Sequence, residues 1–393
     1  MAARDDDRES RIRRLLELLR EEKTDLTDAV RPFGPAEFTD PDLARREREL
    51  IFGSVPTIVA HRSQLPRPND FITLAMPRNK VILMRQKDGT VKAFVNACRH
   101  RGAMLEEAPA GRCRIFSCGY HRWSYDPDGS LRTVTYEESF GEFDRSRLGL
   151  VELPVEERHG FIWLVDRAGA SIDVAGWLGE EMDSALAGYG IESLVNYREE
   201  TFLEPVNWKI MQDAFLDGYH IKYAHPNTAG KIIHTNVLAV EDYGRHARFL
   251  SARKTLDRWL EEDPTGQSLA KDVTESHYVG PNSTLLRLPD HFELLTFRPH
   301  ETDPAQCYMQ MRVMVPTVEE SGLEQEAWDR RWTKNWDILL AVLHGEDFPL
   351  LRASQQAVGS ADAGDLLIGR NEVVNQIFHR EIWRLLDTGA DRS

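Results

Sequence analysis

Cysteine is scarce in this chain, with only four residues among 393. A disulfide-stabilised scaffold of this length would need more cysteine pairs, so a reducing compartment is expected. Long apolar runs are also absent, since no window reaches the roughly 18 uninterrupted apolar residues of a membrane-spanning helix. The acidic start, from Asp5 to Asp7, contains no apolar segment of a signal peptide. Together these absences predict a cytoplasmic protein without a membrane span.

Positive charge is in deficit as well. The 64 Asp and Glu residues outnumber the 49 Lys and Arg residues, which gives a formal net charge of −15. Such a charge argues against nucleic acid or an anionic membrane as the main partner. The chain also lacks a G-x-G-x-x-G segment after a predicted strand, so another protein would have to bind any flavin or nicotinamide. The chain has 393 residues, of which 41% are hydrophobic, and this is enough to form two domains.

The coarse pattern changes along the chain. An amphipathic helix is predicted over residues 8–22, and a helix from Pro205 to Pro226. Short alternating runs with turn signals between residues 57 and 165 predict a small antiparallel β domain. Strands are then predicted at Glu192–Glu204, Thr284–Leu288, Glu293–Arg298 and Tyr308–Val315, and long helices at Leu323–Leu343 and Asn371–Leu386.

The most specific pattern combines two cysteines with two histidines. Cys98 and His100 are one residue apart, seventeen residues follow, and Cys118 and His121 are then separated by two. Two thiolates and two imidazoles are the ligands of a mixed-ligand [2Fe–2S] cluster. A zinc site with the same ligands is the alternative, but zinc motifs usually keep like ligands together, whereas each loop here mixes them. We therefore favour the iron–sulfur interpretation.

A second pattern lies about a hundred residues further on. His220 and His225 offer two imidazoles, the start of a 2-His-1-carboxylate site for non-haem Fe(II). On a continuous helix Asp213, Asp217 and His220 would lie within about 60° of one another, and His225 about 140° from His220. For both histidines to bind one ion, the helix must bend or end between them. Taken alone, two such histidines also fit separately hydrogen-bonded residues.

These two patterns resemble the α subunit of Rieske non-haem iron ring-hydroxylating oxygenases. The cluster loops of that family usually read C-x-H-R-G and C-P-Y-H-G-W-x-Y, and here Gly119 replaces the Pro and Arg122 the second Gly. The family also has N-W-K followed by D-x-Y-H-x4-H, often with Glu-Asn where Gln212-Asp213 stand. The matching residues are Asn207, Trp208, Lys209, Asp217, Tyr219, His220 and His225.

The resemblance implies a ligand set. It assigns the cluster to Cys98, His100, Cys118 and His121, and the mononuclear iron to His220, His225 and a carboxylate further along the chain. An E-D pair followed eight residues later by Gln occurs at Glu346, Asp347 and Gln355, so Asp347 is the implied ligand and Glu346 the fallback.

The resemblance also implies an assembly. Members of the family form head-to-tail trimers in which one subunit's cluster lies beside the next subunit's iron. In that arrangement Asp217 would join the cluster histidine His121 of one subunit to the iron ligand His220 of its neighbour. The alternative is that Asp217 orients only His220. A small β subunit is left open.

From the resemblance we expect an α+β protein. It would have an all-β Rieske domain and a catalytic domain whose antiparallel sheet is covered by helices in a helix-grip-like arrangement. The expected division is an N-terminal helical segment at 1–52, the Rieske domain at 53–166 and the catalytic domain at 167–393.

The implied function is that of the terminal oxygenase in a multicomponent system. It would use O2 and electrons from NAD(P)H, through a reductase and in some systems a ferredoxin, to hydroxylate an aromatic or related organic substrate in catabolism. The alternative is a monooxygenase that performs O- or N-demethylation. A Rieske-type electron carrier or zinc-binding protein is less favoured, because neither would explain His220 and His225.

Two further expectations concern surfaces. Arginines flank the cluster loops at Arg99, Arg101, Arg112, Arg114 and Arg122, which fits either a docking face for an acidic electron donor or an ordinary solvated loop. The substrate pocket is predicted around Phe215, Ile232–Val237 and Leu285–Phe297, with His234 and Asn282 nearby.

Overall fold

The structure of the protein is a computed structural model that describes residues 2–261 and 271–390. Contacts divide the chain into two compact units. The central unit comprises Glu47–Val195, and the flanking unit comprises Met1–Arg46 with Asn196–Ser393. The expected α+β class is confirmed. The division into 1–52, 53–166 and 167–393 stays a prediction, and residues 167–195 fall in the central unit.

The strands of the described residues are, in chain order, β1 (Arg31–Phe33), β2 (Thr57–His61), β3 (Asp70–Ala75), β4 (Lys80–Arg85), β5 (Val91–Val95), β6 (Ala110–Arg112), β7 (Phe116–Ser117), β8 (Ser124–Tyr125), β9 (Leu131–Thr133), β10 (Glu152–Leu153), β11 (Val155–Arg158), β12 (Phe161–Leu164), β13 (Val195–Glu204), β14 (Ile233–Asp242), β15 (Ala247–Arg253), β16 (Val273–Val279), β17 (Ser283–Arg287), β18 (Phe292–Pro299), β19 (Cys307–Val315) and β20 (Leu366–Ile368).

The α-helices are α1 (Ala2–Arg20), α2 (Ala36–Thr39), α3 (Pro41–Glu47), α4 (Val174–Ala187), α5 (Trp208–Asp213), α6 (Ile221–Ala224), α7 (Val318–Ser321), α8 (Gln325–Val342), α9 (Phe348–Val358) and α10 (Val373–Ala390). Short 3-10 turns occur at Arg62–Gln64, Glu137–Ser139, Arg145–Leu148, Ile191–Ser193, Ala229–Lys231 and Lys254–Trp259. Two π-helical turns occur in the described part of the chain, at Arg48–Phe52 and Leu343–Asp347. Within the described residues, no helix is both long and apolar enough to cross a membrane.

The central unit is built from three small antiparallel sheets. Their strand orders are β10-β5-β4-β3-β6, β11-β12-β2 and β7-β8-β9. Strand β4 is buried on both faces, because successive side chains of a strand point to opposite sides. Val81 and Leu83 enter one hydrophobic core, and Ile82 and Met84 enter the other, which also contains Cys98 and Cys118. The sheet therefore packs against the two cysteines through this core. Burying each apolar side chain contributes about 1.5–3 kcal/mol to the free energy of folding.

The flanking unit contains one seven-stranded antiparallel sheet in the order β13-β19-β18-β17-β16-β15-β14. Leu15 and Leu16 of α1 are buried against Leu250 and Ala252 of β15. Helix α8 buries one face through tryptophans spaced four residues apart, which lie on one side of a helix. These are Trp328, Trp332 and Trp336.

Candidate metal centres

The two cluster loops are each closed by a backbone hydrogen bond between their ends. The N–H of Cys98 donates to the carbonyl of Ala103 over 2.8 Å, and the N–H of Cys118 donates to the carbonyl of Trp123 over 2.8 Å. Cys98 follows β5, and Cys118 follows β7 in a hairpin with β8. Each loop thus holds one cysteine and one histidine at a tight turn, as the spacing predicts.

The side chains of these loops converge. Cys98 and Cys118 are buried, and the rings of His100 and His121 have centroids 4.6 Å apart. Trp123 stacks on His100 with ring centroids 4.9 Å apart. Nδ1 of His121 is buried, and no described residue hydrogen-bonds it. A buried polar atom without a partner calls for an explanation, and a mixed-ligand [2Fe–2S] cluster supplies one. The four residues fit that group.

Tyr125 adds a hydroxyl to this site. Its oxygen accepts a hydrogen bond from the N–H of Arg99 over 2.9 Å and lies 3.4 Å from Sγ of Cys98. Burial and the hydrogen bond with Cys98 raise the pKa of Tyr125 well above its usual range. The hydroxyl therefore stays protonated and can donate to the sulfur.

The arginines around the loops have different surroundings. Arg112 pairs with Asp70, with Nε and Oδ1 2.8 Å apart, and Arg99 donates to the carbonyl of Gly149 over 2.8 Å.

Arg122 is exposed and has a φ of +60°. Glycine adopts that left-handed conformation without steric cost, whereas other L-residues do so at a cost. The Gly that is usual in the family at this position is therefore explained by the backbone.

The predicted helix from Pro205 to Pro226 is wrong. Helix α5 ends at Asp213, the chain turns over residues 214–220, and α6 begins at Ile221. The side chain of Asp217 causes the break, because its Oδ1 accepts hydrogen bonds from the N–H groups of Tyr219 over 2.7 Å and His220 over 3.0 Å. Aspartate commonly competes with helix formation in this way. The single helical stripe of Asp213, Asp217 and His220 therefore does not form.

The break brings the two histidines together. His220 precedes the four-residue helix α6 and His225 follows it, with ring centroids 5.2 Å apart. Asp347 lies in the π-helical turn between α8 and α9. One ligand atom from each of His220, His225 and Asp347 lies within 4.8 Å of the others. Two imidazoles and one carboxylate in a compact group fit the facial triad of non-haem Fe(II).

Two other carboxylates orient the histidines. Oδ1 of Asp217 lies 3.0 Å from Nδ1 of His220, and Oε2 of Glu346 lies 2.7 Å from Nδ1 of His225. Nε2 of each ring is therefore not occupied by these two carboxylates. Nε2 of His225 lies 3.2 Å from Oδ1 of Asp347. Carboxylates that hold the far nitrogen of a ligand histidine fix its tautomer and direction. The geometry favours Asp347 over Glu346 as the candidate ligand.

Two neighbouring carboxylates shift the pKa of His225. Burial lowers the pKa of His225, but its contacts with Asp347 and Glu346 outweigh burial and raise the pKa above the usual value. Burial raises the pKa of Glu346, but the hydroxyl of Thr228, 2.6 Å away, and His225 outweigh it and lower the pKa. Sequence reasoning missed Thr228, which no motif signalled.

The motif residues Asn207 and Gln355 meet directly. Oε1 of Gln355 accepts a hydrogen bond from the N–H of Asn207 over 2.7 Å, and the side chain of Asn207 caps α5 by accepting from the N–H of Lys209 over 2.9 Å. These bonds connect α5 to α9. Their role is therefore to fix the two elements that lead to the metal group.

A cavity of about 440 Å³ lies beside the metal group within the flanking unit. His220 and Asp347 form part of its wall, and the apolar wall includes Phe33, Leu351 and Ile368. The predicted pocket residues do not line this cavity. His234 instead contacts Asp257 over 2.7 Å, and Asn282 donates to the carbonyl of Phe297 over 2.9 Å.

Two family descriptions match the chain. Residues 191–388 match "Ring hydroxylating alpha subunit (catalytic domain)", and residues 55–145 match "Rieske [2Fe-2S] domain". The first match covers half of the chain and contains the metal group, and the second contains both cysteine–histidine loops. The chain therefore belongs to the family of ring-hydroxylating alpha subunits and carries a Rieske [2Fe-2S] domain.

Individual relatives are similar over part of their length. The anthranilate 1,2-dioxygenase large subunit of Acinetobacter baylyi is 34% identical over 205 residues, which are 50% of this chain and 43% of that protein. The carnitine monooxygenase oxygenase subunit of Acinetobacter pittii is 30% identical over 208 residues, which are 52% of this chain and 55% of that protein. The alignments thus span about half of the relatives' lengths.

A solved structure shares the fold over nearly the whole chain. The quaternary ammonium Rieske monooxygenase CntA in complex with L-carnitine has a TM-score of 0.74 and 23% identity. The match covers 92% of this chain and 96% of that chain. At this identity the likeness establishes the fold alone.

Proposed function

We propose that this chain is the terminal oxygenase component of a Rieske oxygenase. It uses O2, and electrons from NAD(P)H delivered by a reductase, with or without a ferredoxin, to hydroxylate an aromatic or related organic substrate. The observation that carries the proposal is the compact group of His220, His225 and Asp347 beside a cavity, in a chain that also has a Rieske domain. An electron carrier would need only the cluster.

The proposed roles follow from the donor sets. Cys98, His100, Cys118 and His121 hold the [2Fe–2S] cluster, and His220, His225 and Asp347 hold the iron. When bound, the cluster supplies single electrons and the iron activates O2. Asp217 and Glu346 hold the Nδ1 side of the iron-binding histidines, which preorganises the site before metal arrives.

The cavity supports an organic substrate. Its volume of about 440 Å³ falls within the range of small-molecule sites, about 300–1,000 Å³. Apolar side chains such as Phe33 and Leu351 would cover an aromatic body and keep water from the metal group. We propose that the substrate is bound here, and that the activity serves the breakdown of aromatic compounds.

N-demethylation is the second candidate, because carboxylates line the same cavity. Asp213, Asp217 and Glu372 lie in its wall, and an amine would be attracted to them. Similarity to a carnitine monooxygenase subunit points in the same direction. O-demethylation would need the same two metal centres. The carboxylates of the cavity do not favour it, because a methyl ether carries no positive charge.

The proposal includes an assembly and a location. We infer a cytoplasmic homotrimer in which Asp217 connects the His121 cluster ligand of one subunit with His220 of the next. A β subunit remains open. We retain the division into 1–52, 53–166 and 167–393 as part of this proposal.

Metal analysis and substrate-dependent O2 uptake test the function. The purified chain should contain about three iron atoms, two in the cluster and one mononuclear, and give the EPR signal of a mixed-ligand [2Fe–2S] centre. Adding a surrogate reductase, NADH and candidate aromatic or methylated substrates should give O2 uptake matched by product. About two iron atoms and no coupled uptake would indicate an electron carrier, and zinc would overturn the proposal.

A further inference from the structure

Three charged groups form a line that ends in the metal cavity. Nε2 of His379, on α10, lies 2.9 Å from Oδ2 of Asp213, and its Nδ1 lies 3.5 Å from Oε2 of Glu37, on α2. The side chain of His379 is only 1% exposed, whereas that of Asp213 is 23% exposed and lines the cavity with His220 and Asp347. A buried imidazole therefore reaches the metal cavity through a single carboxylate.

The surroundings favour the charged form of His379. Burial lowers its pKa, but Asp213 and then Glu37 outweigh burial and raise the pKa above the usual value, against the opposing charge of Arg31. Burial raises the pKa of Glu37, but His379, Arg31 and the indole of Trp383 outweigh it and lower the pKa. The contacts of His379 with two carboxylates thus shift its protonation equilibrium toward the imidazolium.

Other neighbours complete this environment. The ring of Phe378 lies 5.0 Å from that of His379 and the ring of Phe33 lies 5.6 Å away, measured between centroids. Aromatic faces attract a cation at such distances. Glu372 also lines the cavity, and burial together with Asp217 and Asp213 raises its pKa. The cavity wall thus carries carboxylates close to an imidazole whose charged form is favoured.

We propose that His379 is a proton store for the metal cavity, emptied and refilled through Asp213. This rests on the proposed function, because hydroxylation by O2 consumes two electrons and two protons and yields the alcohol and water. The electrons come from the proposed reductase. Of the two protons, one comes from solvent water and the other from His379. The Nε2–H bond of His379 breaks, an O–H bond forms on Asp213, and Asp213 passes that proton to the reacting oxygen in the cavity.

Glu37 decides which nitrogen releases the proton. After release, the neutral ring keeps its Nδ1–H, because the carboxylate charge of Glu37, 3.5 Å from Nδ1, favours a proton on that nitrogen. After product leaves, water refills the cavity and gives a proton through Asp213 to Nε2, and the hydroxide that remains is neutralised by the bulk buffer. Asp213 lines the cavity in which the substrate would react, whereas His379 and Glu37 act through it as positioning residues.

A purely structural role is the competing explanation. Asn375 of α10 also donates to Asp213, to its carbonyl over 2.9 Å and to Oδ1 over 3.0 Å. The contacts of Asp213 therefore also anchor α10 to the end of α5. The two roles differ in their dependence on pH, since an anchor is needed equally at every pH, whereas a proton store matters most where water supplies few protons.

The first test measures the protonation of His379 directly. The full-length chain is labelled in its histidine rings, freed of mononuclear iron by chelation, and titrated by NMR, with the His379 signal assigned by its loss in His379→Gln. We expect a pKa of His379 above the ordinary imidazole value of about 6.5, and a fall toward that value in Asp213→Asn. A pKa at or below the ordinary value in the parent chain would overturn the proposal.

The second test uses the holoenzyme. His379→Gln keeps a hydrogen-bonding side chain of similar length but cannot carry the proton. We expect kcat to fall about 100-fold near pH 8, the lower end of the range of general acid–base catalysis, with a small loss near pH 6 and little change in KM. A larger share of O2 should appear as hydrogen peroxide. The same loss at every pH would mean that His379 is only an anchor.

The matched control is His277→Gln, which also removes a fully buried imidazole, on β16 away from the cavity. It should keep the parent's activity and pH profile, and both variants should retain iron and the cluster spectrum. If the parent chain itself shows no substrate-dependent O2 uptake, the proposed function fails, whatever the titration shows. If the parent turns over and His379→Gln matches it at every pH, the proton store alone is refuted.

Discussion

At the scale of single residues, Arg122 departs from the family motif at a position where the backbone is left-handed. Its φ of +60° is a conformation that glycine adopts without steric cost. The sequence indicated only that a Gly was replaced, because a backbone angle has no direct signal in residue identity. The structure explains why the replacement is tolerated: the side chain is exposed, so only conformational energy is lost.

Arg122→Gly should therefore stabilise the chain by about 0.5–1 kcal/mol, since the strain of a left-handed residue is removed. Urea unfolding should show a higher midpoint with an unchanged slope, and the cluster spectrum should persist. Arg114→Gly is the control, because Arg114 is exposed but has no positive φ, and it should lower stability. Equal effects of the two substitutions would contradict the strain argument.

Tyr125 leads to a prediction about the cluster's potential. Its hydroxyl lies 3.4 Å from Sγ of Cys98, and a hydrogen bond to a ligand sulfur stabilises the reduced cluster. Tyr125→Phe should lower the potential by about 40 mV, the equivalent of a hydrogen bond worth about 1 kcal/mol. A redox titration followed by EPR measures this. Tyr120→Phe, at an exposed ring beside His121, should leave the potential unchanged, and a shift there would remove the assignment.

At the scale of elements, local patterns succeeded where strands are short and bounded by turns. The run Val91–Val95 is β5, and the predicted strands near residues 284, 293 and 308 correspond to β17, β18 and β19. The sequence did not reveal β16, because Thr274 to His277 are polar yet buried and show no alternation. The predicted helix after Pro205 failed since the bonds of one side chain, Asp217, outweigh helical periodicity.

The turn between β17 and β18 has a histidine whose charge should stabilise it. Nδ1 of His291 lies 2.7 Å from Oδ1 of Asp290, and its Nε2 lies 3.3 Å from Oε1 of Glu293. Burial lowers the pKa of His291, but these carboxylates outweigh burial and raise the pKa to about 9. Because the folded pKa exceeds the unfolded one, the stabilisation is full below about pH 6.5 and is lost as pH rises through about 9.

His291→Gln should thus cost about 2–3 kcal/mol of unfolding free energy near pH 6 and almost nothing near pH 10. Chemical unfolding of parent and variant across this range provides the measurement. A difference that stays constant with pH would mean that packing against Trp332, 5.2 Å away between ring centroids, accounts for the effect.

At the scale of the whole molecule, the chain carries the two candidate metal centres on separate compact units. The histidines of both centres could be predicted because their spacing within short segments is a local property. The carboxylate could not be chosen by periodicity, since Glu346 and Asp347 are adjacent and acids are common. Only the three-dimensional contacts separate them: Glu346 faces Nδ1 of His225, and Asp347 faces Nε2.

Asp217→Asn tests the connection between the centres. The amide keeps the size of the side chain and an oxygen for the backbone bonds of residues 219 and 220, but it removes the charge that holds His220. Both metal centres should remain filled while turnover falls about 100-fold, the upper effect of losing such a carboxylate. Iron analysis, the cluster spectrum and single-turnover reduction of the iron measure this, and full activity would remove the coupling role.

The proposed transfer of electrons between copies of the chain can be tested by mixing two inactive variants. Cys98→Ser should abolish the cluster, and His220→Ala should abolish the mononuclear iron while keeping the cluster's spectrum. Each variant alone should be inactive. If electrons pass from one copy's cluster to another copy's iron, oligomers assembled from both variants will recover part of the activity, because some neighbouring pairs combine an intact cluster with an intact iron site. If electrons pass within one copy, mixed oligomers will stay inactive, since no copy has both centres.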